Sequence, residues 1–164
     1  TARQYSVWLS YTYSKNDYEF DSFTPSSFPN NVDIRHSVGL GLNYDILENL
    51  KISLGGVWRN GQPYTNVVKG HETIQSGNST MVNYDSPNGE NIDDFMRLDA
   101  SLCYNFKLSQ GVNSSLRAGV INLTNKDNLI NRYYKVNPNN SSDAIQVDNK
   151  SLGLTPNISF RVNF

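Results

Sequence analysis

"SVGLGLNYDI", Ser37 to Ile46, alternates without a break. Val38, Leu40, Leu42, Tyr44 and Ile46 are apolar, and Ser37, Gly39, Gly41, Asn43 and Asp45 between them are small or polar. A period of two puts each set on its own side of an extended chain, so this stretch predicts a strand with one greasy face and one wet face.

Five further segments repeat the pattern. Tyr5, Val7, Leu9, Tyr11 and Tyr13 oppose Ser6, Ser10 and Thr12, with Trp8 the exception on the polar side. Ile52, Leu54, Gly56 and Trp58 oppose Lys51, Ser53, Gly55 and Arg59, and Met96, Leu98, Ala100, Leu102, Tyr104 and Phe106 oppose Arg97, Asp99, Ser101 and Asn105. Leu116, Ala118 and Val120 form a shorter fifth segment, and Ile158, Phe160, Val162 and Phe164 a sixth. The connections alternate in length. Leu47–Asn49 and Lys107–Asn113 are short, whereas Ser14–Asp33, Asn60–Asp94 and Asn122–Gly153 are long and carry no obvious structure of their own. Compact domains rarely hold such loops, but transmembrane barrels combine short periplasmic turns with long external loops.

Bulk composition narrows the class. The 164 residues fit one domain or part of one. A net charge of -1 indicates no nucleic-acid partner. The single cysteine, Cys103, rules out an internal disulfide and reads as an inert thiol. No run approaches the ~18 apolar residues of a membrane helix, and "TARQYSVWLS" lacks the shape of a secretory signal. A mean hydropathy of -0.54 is compatible with membrane strands, which alternate lipid-facing and lumen-facing residues. The 23 Asn, 19 aromatic and 11 Gly residues favour strands and turns.

Alternation alone fits a β-sandwich as well as a barrel, so the kind of apolar residue at each depth arbitrates. Tyr5, Tyr44, Tyr104, Phe106 and Phe164 fall at one end of the segments and Tyr11, Tyr13 and Trp58 at the other, with Val7, Leu9, Leu40, Leu42, Leu54, Leu98, Ala100, Leu102 and Ala118 between them. Two aromatic girdles around an aliphatic band are the pattern of a membrane wall. From Tyr5 to Tyr13 the chain covers roughly 20 Å along the membrane normal at a tilt of ~40°. Asp45, Lys51, Arg59, Arg97, Asp99, Arg117 and Arg161 all occupy the other phase. The expected fold is all-β, an antiparallel transmembrane β-barrel segment of about six strands.

The chain also resembles the C-terminal end of TonB-dependent outer-membrane receptors of the Bacteroidota type. The resemblance rests on "DIRHSVGLGLNYDI", "GVWRNGQPYT", "MRLDASLCYNF", "VINLTNKDN", "RYYKVNP" and "TPNISFRVNF", in the family's order across almost the whole length. It implies that residues 1–164 are the C-terminal portion of a barrel of about 22 strands, with the plug domain and the energy-coupling segment outside this chain. It implies the bacterial outer membrane as location, with the C-terminus at the periplasmic side. The implied activity is ligand-gated import of a scarce nutrient, such as a siderophore or glycan, without catalysis, cofactor or metal. The implied partners are outer-membrane lipid, the plug and remaining barrel, the TonB complex and the barrel assembly machinery. Phe160, Val162 and the terminal Phe164 resemble the family's assembly signal, although Ser159 stands where that signal usually has glycine.

Candidate site residues follow from the loops and the polar phase. Tyr64, His71, Tyr84, Glu90, Asp93 and Asp94, in the longest loop, mix aromatic faces with hydrogen-bonding groups and are candidate ligand contacts. The loop's Gly and Asn content suggests movement between open and closed positions. Arg59, Arg97, Asp99 and Arg117 are expected to face the lumen, either along a transport path or paired with one another, and Trp8 and Ile121 to pack on a plug. "HETIQ" at His71 lacks the second histidine of a zinc-protease helix. The acidic stretch Asp85–Asp94 lacks calcium-loop spacing and reads as a solvated surface loop. Glycosylation patterns at Asn78, Asn122 and Asn140 are chance matches in an Asn-rich chain. No nucleophile and base set emerges. The alternatives are a secreted β-sandwich carbohydrate-binding module and an outer-membrane barrel enzyme.

Overall fold

The computed structural model describes residues 4–164, and the described chain is all-β. In order it forms β1 (Tyr5–Tyr13), the short pair β2 (Asp17–Glu19) and β3 (Ser27–Pro29), β4 (His36–Leu47), β5 (Leu50–Arg59), four loop strands β6 (Pro63–Tyr64), β7 (Thr73–Ser76), β8 (Ser79–Val82) and β9 (Glu90–Asn91), then β10 (Phe95–Ser109), β11 (Val112–Ile121), β12 (Leu129–Asn137), β13 (Asn140–Lys150) and β14 (Thr155–Asn163). The six segments with clean alternation become one antiparallel sheet in the order β1-β4-β5-β10-β11-β14. Each strand lies beside its neighbour in sequence once the loop strands are set aside. The sheet is open, with β1 and β14 as its edges.

Register decides which side chains share a face, because a slip of one residue would turn a strand over. Every pairing keeps phase. Val7, Leu42, Leu54, Ala100, Val120 and Pro156 form one continuous apolar row across all six strands. The adjacent row, on the opposite face, is Ser6, Asn43, Ser53, Ser101, Gly119 and Asn157. Asn43 donates to Ser6 Oγ at 3.3 Å and accepts from Ser53 Oγ at 2.6 Å, so this polar row is partly hydrogen-bonded. All eight charged side chains of the six strands lie on the polar face, and Asp45 and Lys51, opposite each other across β4 and β5, form an ion pair at 3.2 Å.

The apolar face is uncovered. Ile158 is 74% exposed, Leu9 71% and Tyr5 75%, and Leu40, Leu102 and Phe160 are exposed with them. Among the described residues no second sheet lies on this face. The buried apolar residues, Phe28, Ile92, Leu129 and Tyr134, all sit in the long loops. The aromatic ends persist as neighbours in space: Tyr5 faces Tyr44, Phe106 stacks between Tyr104 at 5.7 Å and Phe160 at 6.3 Å, and Tyr11 hydrogen-bonds His36 Nδ1 at 2.8 Å.

The long connections correct the expectation of structureless loops. Eight strands occupy them: six are short, while β12 and β13 form a hairpin as long as the strands of the main sheet. Its alternation is weak in sequence because Arg132 breaks the phase of Ile130, Tyr134 and Val136 in "LINRYYKV", and only Ile145 and Val147 alternate with Gln146 and Asp148 in "DAIQVDNK". The loop of residues 60–94 holds its own hairpin, β7 with β8, turned at Gly77 with φ +60°.

Candidate functional site

In an antiparallel sheet of this order, connections alternate between the two ends. Residues 14–35, 60–94 and 122–154 therefore emerge at one end together, and the tight turns at 48–49 and 110–111 lie at the other. The juxtaposition of the three long loops is set by chain order before any side chain is considered.

Each loop is closed at its neck by an Asn or Asp that imitates backbone groups. Asp33, buried, accepts from Asn16 N at 2.9 Å and Arg35 Nε at 2.7 Å. Asp94 accepts from Gly61 N at 3.1 Å and Asn60 Nδ2 at 3.4 Å. Gly61 is obligatory there, since a Cβ would stand 1.6 Å from the Ile92 carbonyl oxygen. Asn122, at 0% exposure and φ +54°, closes the third neck: its Nδ2 donates to the carbonyls of Lys126 and Leu152, and its N–H reaches Asp99 Oδ1. Asn128 completes this clasp, exchanging hydrogen bonds of 2.8 Å with both backbone groups of Met96.

Beyond the necks the loops are knitted to one another. Asn88, buried at φ +52°, donates to Pro29 O at 2.7 Å and Asn31 Oδ1 at 2.6 Å, while its N–H reaches Thr65 Oγ1. The β12–β13 hairpin is joined by Arg132 and its cross-strand partner Asp148, whose oxygens accept from Nε at 2.7 Å and Nη2 at 2.9 Å. This fork holds the Asp148 carboxyl below its ordinary range and the Arg132 guanidinium further above its own. Arg132 also lies over the Tyr64 ring at 5.1 Å, Tyr134 donates to Asn66 Oδ1 at 2.8 Å, and Tyr84 donates to the Tyr134 carbonyl at 3.3 Å. Burial pushes the Tyr134 phenol up.

These contacts surround an open cleft of about 610 Å³, lined by parts of all three loops, a volume typical of small-molecule sites. Tyr64 and Tyr84 line it, as do Tyr133, Arg132 and Asn131 from the third loop and Asn31 from the first. The other sequence candidates lie elsewhere. His71 sits exposed in the turn after Val68, with its carbonyl held by Asn83 Nδ2. Glu90 pairs opposite Tyr64 in β9 and is exposed without lining the cleft, Asp93 is exposed, and Asp94 is engaged at the neck. Their polarity serves loop closure and solvation, which sequence cannot separate from ligand contact. Arg132 and Tyr133 were missed because their strand was not recognised, although the aromatic pair in "NRYYKV" carried a signal.

On the sheet, Arg59, Arg97, Asp99 and Arg117 share the polar face. Arg97 and Asp99 pair at 3.1 Å, Arg59 lies over the Phe95 ring at 4.8 Å, and Arg117 has no side-chain partner among the described residues. Trp8 lies flat over Gly41, and Ile121 lines the same shallow cleft of about 330 Å³. Among the described residues no group of three His, Cys, Asp or Glu side chains is arranged to hold a metal ion. No family model, curated protein or solved structure matches this chain.

Proposed function

We propose that this chain is part of the wall of an outer-membrane β-barrel of the TonB-dependent receptor type, importing a scarce nutrient through a gated lumen. The observation that carries this reading is the uncovered apolar face, six strands wide, in register and free of charge. A soluble protein rarely leaves so large a contiguous apolar surface open. Hydrocarbon is the covering that suits it: aliphatic rows lie in the middle, and Tyr5 and Tyr44, Tyr104 and Phe106, Tyr11 and Trp58 flank them. The polar face then turns to the lumen and its plug, and the edges β1 and β14 pair with further strands, because each unpaired backbone group in lipid costs several kcal/mol. The loop end is external and the tight-turn end periplasmic, where β14 finishes and the assembly machinery would read Phe160, Val162 and Phe164. A β-sandwich carbohydrate-binding module would need a comparable second sheet on the apolar face, and the remaining sheets are two-stranded.

Arginine substitutions on the two faces test the reading. Leu42→Arg or Leu102→Arg places a charge in hydrocarbon at a cost of ~2–4 kcal/mol, and is expected to abolish the heat-modifiable band of the complete receptor in outer-membrane fractions. Asn43→Arg, one residue away on the other face, gives up its bonds to Ser6 and Ser53 but keeps the apolar surface, and is expected to retain most of that band. Equal losses at all three positions would remove the lipid assignment.

A further inference from the structure

The net charge of -1 conceals a division between two parts of the molecule. On the polar face of the six-stranded sheet, Lys51, Arg59, Arg97, Lys107, Arg117 and Arg161 stand against only two carboxylates, Asp45 and Asp99. The three long loops carry the reverse, twelve carboxylates against seven cations. Both carboxylates of the sheet are engaged: Asp45 meets Lys51 at 3.2 Å, and Asp99 meets Arg97 at 3.1 Å and accepts from the Asn122 N–H at 2.9 Å. Arg59, Lys107, Arg117 and Arg161 are left without a carboxylate among the described residues.

Three of these four lie together. Arg117 is opposite Ser159 and Arg161 opposite Ser115, so the two arginines are diagonal neighbours on β11 and β14, roughly 7–8 Å apart at their Cβ atoms. Lys107, across β10 and β11 from Asn113, stands one row nearer the tight-turn end. All three side chains are exposed, and none has a hydrogen-bond, ion-pair or ring partner among the described residues. Neither β11 nor β14 contains a carboxylate. Arg59 is set apart, over the Phe95 ring at the loop end. Arg117 also lines the shallow cleft of about 330 Å³ beside Trp8 and Asn157, which leaves room for a side chain from outside to reach it. Neighbouring like charges repel, and a guanidinium takes a carboxylate through two parallel hydrogen bonds.

We propose that β10, β11 and β14 dock an acidic polypeptide surface, whose aspartate and glutamate side chains seat on Arg117 and Arg161 and, one row further on, on Lys107. Charge complementarity selects this occupant. A second copy of the sheet would bring the same positive excess, and the acidic loops of this chain emerge at the opposite end from Lys107. Under the receptor reading, on which the identity of the partner rests, the acidic surface belongs to the plug.

The test uses the complete receptor in detergent, with a photoreactive benzophenone side chain placed at Ser115, between the two arginines on the polar face. Irradiation followed by mass spectrometry is expected to join Ser115 to a plug peptide rich in Asp and Glu. Amide exchange of that peptide is then compared among charge variants. Arg117→Glu combined with Arg161→Glu is expected to accelerate it about tenfold, the scale of two charge-assisted pairs lost and reversed; Arg117→Lys with Arg161→Lys is expected to leave it near the unsubstituted rate. High salt is expected to accelerate it in the unsubstituted receptor. A cross-linked peptide without carboxylates, a probe that joins no polypeptide because solvent alone covers the patch, or exchange indifferent to charge reversal would each overturn the proposal. The heat-modifiable band reports on the barrel separately, so any of these results with the band intact refutes the docking assignment and leaves the receptor reading standing.

Discussion

Gly41 stands where a side chain on the polar face would collide with Trp8: a Cβ there would lie 1.9 Å from the indole Nε1. Gly39 is similarly covered, and Gly55 sits opposite Gly41 on the next strand. The sequence shows these glycines as merely non-apolar members of an alternating phase, and the indole as an exception to one. In space Gly39, Gly41 and Trp8 are a single feature, an indole lying on a floor of two glycines, whereas a Cβ at Gly55 would meet nothing within 4 Å. Glycine weakens a strand unless something packs in the space it leaves, and here Trp8 does. Gly41→Ala is expected to destabilise the sheet by about 1–3 kcal/mol through overpacking, read as a lower midpoint of the heat-induced mobility shift. In a Trp8→Ala background the same change is expected to be nearly neutral. A penalty of equal size in both backgrounds would mean that the glycine serves the backbone rather than the indole.

The β12–β13 hairpin stands away from the main sheet and is held by the Arg132–Asp148 fork and by Tyr134. Its acid response follows from the pair. Because Asp148 is depressed when folded, its contribution is fully present above its ordinary unfolded value near pH 3.9 and is lost as pH falls through the lower folded value. Amide exchange across residues 129–150 is therefore expected to keep its protection from neutral pH to about pH 4 and to lose it below. Asp148→Asn is expected to accelerate this exchange several-fold at neutral pH, as for a charge-assisted pair near the surface, and to flatten the acid dependence. An unchanged profile would assign the hairpin's order to the packing of Leu129 and Tyr134 instead.

At the scale of the molecule, the three loops behave as one body because their hydrogen bonds run between loops as well as within them. Asn88 alone bonds to Pro29 and Asn31, and Thr73 donates to the Ser141 carbonyl. This knitting alters the consequence of removing residues 67–91, the central part of the longest loop. The excision takes away Asn88 and Tyr84 together, so in the receptor proposed above it is expected to leave barrel assembly intact, abolish ligand capture, and expose residues 14–35 and 129–150 to limited proteolysis in intact cells. Resistance of those two segments at equal receptor level would show that each loop is ordered independently.

Much of the architecture was legible from period and parity. The phase of each of the six long strands could be read directly, because an alternation of Leu, Val and Tyr with Ser, Gly and Asn has one consistent reading along an extended chain. The strict exclusion of charge from one phase then marked that face as continuous before any pairing was known. The loop strands were not legible, since short polar strands owe their order to partners far away in sequence: Asn88 to Pro29, Arg132 to Asp148 and Tyr64, Tyr134 to Asn66. The same holds for the candidate site. Tyr64 and Tyr84 were visible as aromatics in a long loop, but nothing local distinguished them from His71, whose backbone groups are held in a turn, or Asp94, whose carboxylate closes a neck. Sequence alone determined the two faces of the sheet, because side-chain alternation is a property of each strand by itself. Which loop residues meet around a common cleft was decided only by the tertiary structure, because hydrogen-bond partners separated by dozens of residues are chosen by geometry rather than by composition.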